Sequence, residues 1–267
     1  MTDSQNTGIT PVVTPLPERR TWGAWATIGY SMVIMAAFFF TQFIVIMISL
    51  IVVLSSRDIS FDPGNITDLM KIITDALNSR MGLIQSIATI TGGIVGVLLI
   101  WVFVNARKRA GFGEYLGLHK ISVRAVWLGV GVVIALIGLS AIIQSFLGLE
   151  SGDEITYDIY NTSVWPLLFG IAVVIFAPLF EEALFRGFLF EGLRQSRLGG
   201  WGAVAITSVT WAALHIQYNI FGIGYIFVLG IVFGLIRWKT KTIWSGVIMH
   251  ALVILIATVS VALTAHV

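Results

Sequence analysis

Phe176-Ala177-Pro178-Leu179-Phe180-Glu181-Glu182-Ala183-Leu184-Phe185-Arg186-Gly187 puts two adjacent carboxylates and a guanidinium inside an otherwise apolar run, 164–193. No polar side chain precedes Glu181 back to Ser163. A run of this length reaches the roughly 20 residues that a helix needs to cross a bilayer. Charged residues at the centre of such a helix cost about 2.5–3.5 kcal/mol each on insertion scales, so they persist where they pair with one another or perform work. This one stretch therefore predicts both a membrane helix and a place where chemistry happens.

Working outward, six more apolar runs occupy 22–54, 81–104, 122–149, 201–218, 221–236 and 243–264. The chain is 57% hydrophobic and only 11% charged, with a mean hydropathy of +0.92. Soluble chains carry about a quarter charged residues, so most soluble architectures are excluded. The predicted fold is all-α, a polytopic membrane protein of about seven transmembrane helices. Residues 1–21, with Pro11, Pro15 and Pro17, read as a disordered N-terminal tail, and 22–267 as one transmembrane domain. The first run is far longer than the 7–15 residues of a signal-peptide core and is expected to be retained. Between the fifth and sixth runs only Tyr218 and Asn219 mark a turn, so the helix count is least defined there.

Zero cysteines exclude a disulfide framework, a thiolate metal site and a cysteine nucleophile. The net charge of +2 belongs to membrane-flanking loops and does not call for a nucleic-acid partner. With the tail placed in the cytoplasm, the inner segments hold twelve Lys and Arg, while the outer ones hold only Arg57, Lys71 and Arg80. The basic excess thus sets the N-terminus inside and the C-terminus outside. In the first outer connection Ile66, Leu69, Met70, Ile73 and Leu77 fall at helical spacing, predicting a short amphipathic helix on the outer surface. The Asn65-Ile66-Thr67 triplet matters only in a glycosylating host.

Within the predicted spans the acids and histidines are few: Glu181, Glu182, Glu191, His215 and His250. Glu191 lies beside Arg194 and reads as interfacial charge. Glu182 and Arg186 are i,i+4 and can form an ion pair in the better order, acid before base. Glu181 points about 100° away and has no cation on its own face. A carboxylate without a cation in a low-dielectric site is suited to act as a general base toward water. Pro178 removes a backbone hydrogen bond just upstream and is expected to kink the helix. At 1.5 Å per residue, Glu182 lies roughly 18 Å from Arg194, His215 roughly 27 Å from Arg197 and His250 roughly 13 Å from Lys241. All three fall in the inner and middle part of the bilayer. His119 and His266 receive no role.

At these residues the chain resembles the CPBP intramembrane proteases, also called the Abi or CAAX prenyl endopeptidase family. Glu181-Glu182-Ala183-Leu184-Phe185-Arg186 fits the family's EExxxR signature. Trp211-Ala212-Ala213-Leu214-His215 looks like its second motif, FxxxH, with Trp in the Phe position, and His250 looks like the histidine of the third. The resemblance covers about residues 160–255, with a looser likeness at Gly117-Leu118-His119-Lys120. It implies hydrolysis of a peptide bond near the cytoplasmic side, with Glu181 activating water, Glu182 and Arg186 orienting it, and His215 and His250 polarising the scissile carbonyl. It also leaves open a metal scheme in which Glu182, His215 and His250 ligate a divalent metal such as zinc, an acceptable catalytic shell. The implied partners are membrane lipid and a peptide or membrane-anchored protein substrate, and the implied location is a prokaryotic plasma membrane.

One position departs from the family. Four residues after His250, where Asn or another polar residue is usual, stands Ile254. Isoleucine cannot donate to an oxyanion, and losing one such donor costs about 10²–10³ in rate. Gln217 and Asn219 are the nearby polar residues that could take its place. The alternative function is a non-catalytic family member, a membrane scaffold or bacteriocin-immunity protein. A proton-coupled transporter is disfavoured because the acids cluster in one helix and no half is repeated. The last span has no Lys after Lys241 for a retinal Schiff base, and neither a rhomboid-type Gly-x-Ser-Gly nor an HExxH motif occurs.

Overall fold

The structure, a computed structural model, describes residues 21–55, 66–149 and 154–264. Residues 1–20 of the expected tail 1–21, Asn65 of the sequon and His266 lie outside the described residues, whereas Thr21 is described and buried. Long apolar runs become helices, and the described residues contain no strand. The elements are α1 (Ala24–Ser55), α2 (Ile66–Asn78), α3 (Met81–Arg107), α4 (Phe112–Leu116), α5 (Val123–Leu147), α6 (Glu154–Asn161), α7 (Pro166–Arg194), α8 (Gly199–Ala213), α9 (Ile220–Thr240) and α10 (Trp244–Thr264). Six of them, α1, α3, α5, α7, α9 and α10, are long and apolar enough to cross a membrane. Large side chains such as Phe146, Trp127 and Leu167 stand exposed around the bundle. A soluble monomer rarely tolerates so continuous an apolar surface. The chain is an integral multi-pass membrane protein.

The fifth apolar run forms a shorter helix than its 18 residues suggest. Helix α8 ends at Ala213 after 15 residues, about 22 Å of rise, and it carries the chain from the end of α7 back to the start of α9. The apolar pattern continues through Leu214 and Ile216, but the backbone turns, and Asn219 caps the next helix by accepting the Gly222 N–H at 2.9 Å. The short α8 nevertheless runs antiparallel along α9. Gly200 abuts Trp238, Gly234 abuts Val204 and Gly230 abuts Ser208. Small residues at these contacts let two helices approach closely where lipid gives no hydrophobic push.

Contacts gather the basic segments at one end of the bundle. The Trp22 indole donates to Phe103 O, Arg107 Nε to Thr21 O, Thr242 Oγ1 to His119 O, and the Ile243 N–H to Gly117 O. Gly117 adopts φ 71°, and a side chain there would strike Lys241 O. This close approach locks the loop after α4 onto the start of α10. At the opposite end the Gly82 N–H donates to Thr162 Oγ1, tying α3 to the segment after α6.

Helix α7 is the axis of the core. Its Phe180 stacks on Phe38 of α1 at 4.5 Å and fills the space left by Gly96 of α3, while Gly192 meets Thr27. Along α7 the backbone alternates: Ala172–Phe176 and Ala183–Leu189 are π-helical, flanking the α-helical turn Ala177–Glu182. The Ala177 N–H bonds to Ala172 O, five residues back, and Pro178 follows at the start of the α-helical turn, where its missing donor is best tolerated. The two wide turns place the acidic pair between them, as π-bulges in helices often do at functional sites.

Candidate active site

The α-helical turn between the π segments ends in Glu181 and Glu182, and their surroundings differ. Glu182 is wholly buried. Its Oε1 accepts Arg186 Nη1 at 2.9 Å and lies 3.4 Å from Nδ1 of His250 on α10. Gly246, one turn before His250, lets α10 approach: an added Cβ there would collide with Glu182 Oε2. Arg186 is equally buried, and its guanidinium carbon lies 4.4 Å from the ring centre of Trp211 and 5.5 Å from that of Phe233. Such cation–π contacts gain strength when desolvated. Glu182 Oε2, Arg186 Nε and Nη2, and His250 Nδ1 have no hydrogen-bond partner among the described protein groups. Buried polar atoms of both signs meeting in one place form a site that ordered water can satisfy.

Glu181 is half-buried and faces another helix. Its Oε2 accepts the indole N–H of Trp211 at 2.5 Å. The partner is a neutral donor from α8, which agrees with the lack of a cation on the Glu181 face of its own helix. Trp211 is the residue that motif reading undervalued. It bonds Glu181, underlies Arg186, and meets the rings of His250 and His215 edge-on at 5.1 and 5.3 Å. The signal was available: an indole N–H can only donate, and in a membrane helix it needs an acceptor.

His215 sits on the turn after α8, half-buried. Its Nδ1 lies 2.8 Å from Trp211 O. A carbonyl oxygen can only accept, so Nδ1 carries the hydrogen, and Nε2 is the ring nitrogen left for another contact. The structure thus brings Glu181, Glu182, Arg186, Trp211 and His250 together, with His215 joined to them through Trp211. Ile254 is half-buried one turn beyond His250. Asn219 is exposed, and its side-chain oxygen caps α9.

The donor set argues against the zinc alternative. Among the described residues no three His, Cys, Asp or Glu form a group able to hold a metal ion. Of the three proposed ligands, His250 approaches Glu182, whose Oε1 already accepts Arg186, and His215 stands on the turn after α8 without joining them in such a group. Glu182, His215 and His250 do not fit a metal shell in this arrangement.

These helices also locate the chain among known proteins. Residues 163–256 match the family model described as type II CAAX prenyl endopeptidase Rce1-like. This segment resembles that family. The match opens just before α7 and closes within α10, so it takes in every residue of the acidic cluster. Comparison with curated proteins and with solved structures gave no match.

At the basic end, α7 carries a second charged cluster below the acidic site. Glu191 accepts Arg194 Nε at 3.0 Å and Nη2 at 2.6 Å, and Gln195 Nε2 at 2.7 Å. The interfacial pairing expected for Glu191 is therefore present, and it is extended by Arg237 of α9, 3.8 Å away. Arg237, one of the twelve inner basic residues, is buried, with Nε donating to Arg186 O at 2.9 Å and Nη2 to Leu116 O at 3.5 Å. A cavity of about 360 Å³ opens beside this cluster, lined in part by Tyr115, His119, Arg194 and Lys241. Burial pushes the Tyr115 hydroxyl above its usual range, so it stays neutral there.

Proposed function

We propose that the chain is an intramembrane endopeptidase that hydrolyses a peptide bond of a membrane-anchored peptide or protein near the cytoplasmic side, with the N-terminus cytoplasmic. The observation that carries this reading is the division of labour between two neighbouring carboxylates. Glu182 is ion-paired with Arg186, whereas half-buried Glu181 accepts its hydrogen bond from a neutral indole donor. Glu181 takes a proton from water as the water oxygen attacks the scissile carbonyl carbon; that proton then passes to the departing amine nitrogen. Arg186, compensated by Glu182, supplies positive charge near the developing oxyanion. His250 and His215 both meet the Trp211 ring edge-on, and in this reading they polarise the carbonyl or relay the proton. Preorganised groups of this kind act most strongly where water is excluded.

The description of the matching family extends the proposal to a substrate class, proteins that carry a prenylated CAAX end. Ile254 favours a second reading: an apolar side chain one turn beyond His250 suits a scaffold that binds a membrane partner without cleaving it.

Turnover of a membrane-anchored peptide library by purified protein in nanodiscs separates these readings. The samples are wild type, Glu181→Ala and Ile254→Asn, each with and without chelator. Cleavage that vanishes in Glu181→Ala, rises in Ile254→Asn and ignores the chelator is the expected result. Chelator-sensitive cleavage would replace the glutamate scheme with a metal one. A silent wild type whose activity appears only in Ile254→Asn would establish the scaffold.

A further inference from the structure

We propose that Trp211 is a positioning residue for the Glu181 carboxylate, a role that a phenyl ring at the same position could not fill; the proposal rests on the endopeptidase reading above. The indole N–H donates to Glu181 Oε2 at 2.5 Å across the gap between α8 and α7. Its ring is held on several sides. Arg186 lies over the face at 4.4 Å, Phe233 tilts against it at 5.8 Å, and the rings of His250 and His215 meet it edge-on. Only 2% of the residue is exposed. A ring so constrained has no freedom to swing, so its one donor fixes where the Glu181 oxygen lies.

The arrangement couples the two carboxylates. Trp211 presents its edge donor to Glu181 and its face to the Arg186 guanidinium that neutralises Glu182. One side chain therefore sets the separation between the proposed base and the cation. The backbone carbonyl of the same residue orients the His215 ring, so displacement of Trp211 would be felt at His215 as well. With phenylalanine at 211, packing and the cation–π contact survive in part, but the Glu181 carboxylate loses its neutral donor.

The test separates the donor from the ring. Incorporation of 3-benzothienylalanine at position 211 keeps the bicyclic shape and replaces the N–H by sulfur. On the membrane-anchored peptide library this protein should stay folded and keep a KM near wild type while kcat falls about 10–100-fold, the rate equivalent of one hydrogen bond to a charged group. Trp211→Phe should behave likewise with a lower Tm. Independently of turnover, the ¹⁵N-indole resonance of Trp211, assigned from its disappearance in Trp211→Phe, should move upfield in Glu181→Ala as the acceptor is removed. Wild-type kcat in the benzothienyl protein, or an indole resonance indifferent to Glu181→Ala, would overturn the proposal. If wild type itself cleaves nothing, the endopeptidase reading fails, and the resonance still decides whether Trp211 holds Glu181.

Discussion

Glu182 and Arg186 form a 2.9 Å ion pair in which both side chains are completely buried. Taking two charges out of water is expensive, and their attraction offsets this only while both are present. Removal of one partner leaves a bare charge beneath Trp211 and Phe233. We therefore expect Arg186→Met or Glu182→Leu to destabilise the protein by about 3–5 kcal/mol, and the double variant to regain most of that loss. Reversible unfolding in mixed micelles measures all three. Single-variant losses that simply add in the double variant would show that the pair does not couple.

Glu181→Ala should behave differently. The side chain is half-buried and bonded to a neutral indole, so its loss leaves one buried donor unpaired, a cost of about 1–3 kcal/mol. Turnover per folded molecule should be abolished while the helical circular dichroism spectrum is retained. Loss of folding together with unchanged turnover per folded molecule would remove Glu181 from the proposed chemistry.

The contrast between the two glutamates shows what the sequence made legible. Spacing alone paired Glu182 with Arg186, because i,i+4 neighbours on a helix face each other whatever else surrounds them. It also separated Glu181 from that pair. The partner of Glu181 is 30 residues away on another helix, and no local periodicity encodes such a contact. The widened turns of α7 were equally invisible, because Ala172–Phe176 and Ala183–Leu189 differ from α-helix only in hydrogen-bond register, which apolar side chains do not report. At α8 hydropathy overran the helix: Leu214 and Ile216 extend the apolar run, whereas backbone capping by Asn219 sets where α9 begins. Tyr218 and Asn219, the sequence's faint turn signal, marked the right place.

Arg237 carries a prediction that its sequence role as a flanking charge would not suggest. Its guanidinium satisfies the carbonyls of Arg186 and Leu116 and faces Glu191. Arg237→Ala strands two buried carbonyls, and we expect a loss of about 2–5 kcal/mol. Arg237→Lys should recover only part of it, since one ammonium cannot reproduce the planar fork. Because Glu191 keeps Arg194 and Gln195, the loss should vary little with salt. Thermal denaturation at two ionic strengths checks this; a loss that disappears in high salt would mean that long-range charge, rather than carbonyl capping, is what Arg237 supplies.

Gly246 gives the sharpest geometric test of the site. It lies four residues before His250 on α10, on the face turned toward Glu182, and an added methyl would fall on Glu182 Oε2. Glu182 cannot simply yield, because Oε1 is bonded to Arg186 and the whole side chain is buried. Gly246→Ala should therefore push α10 and α7 apart, at a cost of about 1–3 kcal/mol typical of overpacking, and reduce turnover by moving His250 with it. Gly224→Ala is the internal control: nothing lies within 4 Å of the new methyl on α9, and alanine there gains up to about 1 kcal/mol in helix propensity. Opposite shifts in Tm for the two alanines are expected. Equal stabilisation by both would mean that α10 does not press against Glu182, and the spatial link between His250 and the acidic pair would be lost.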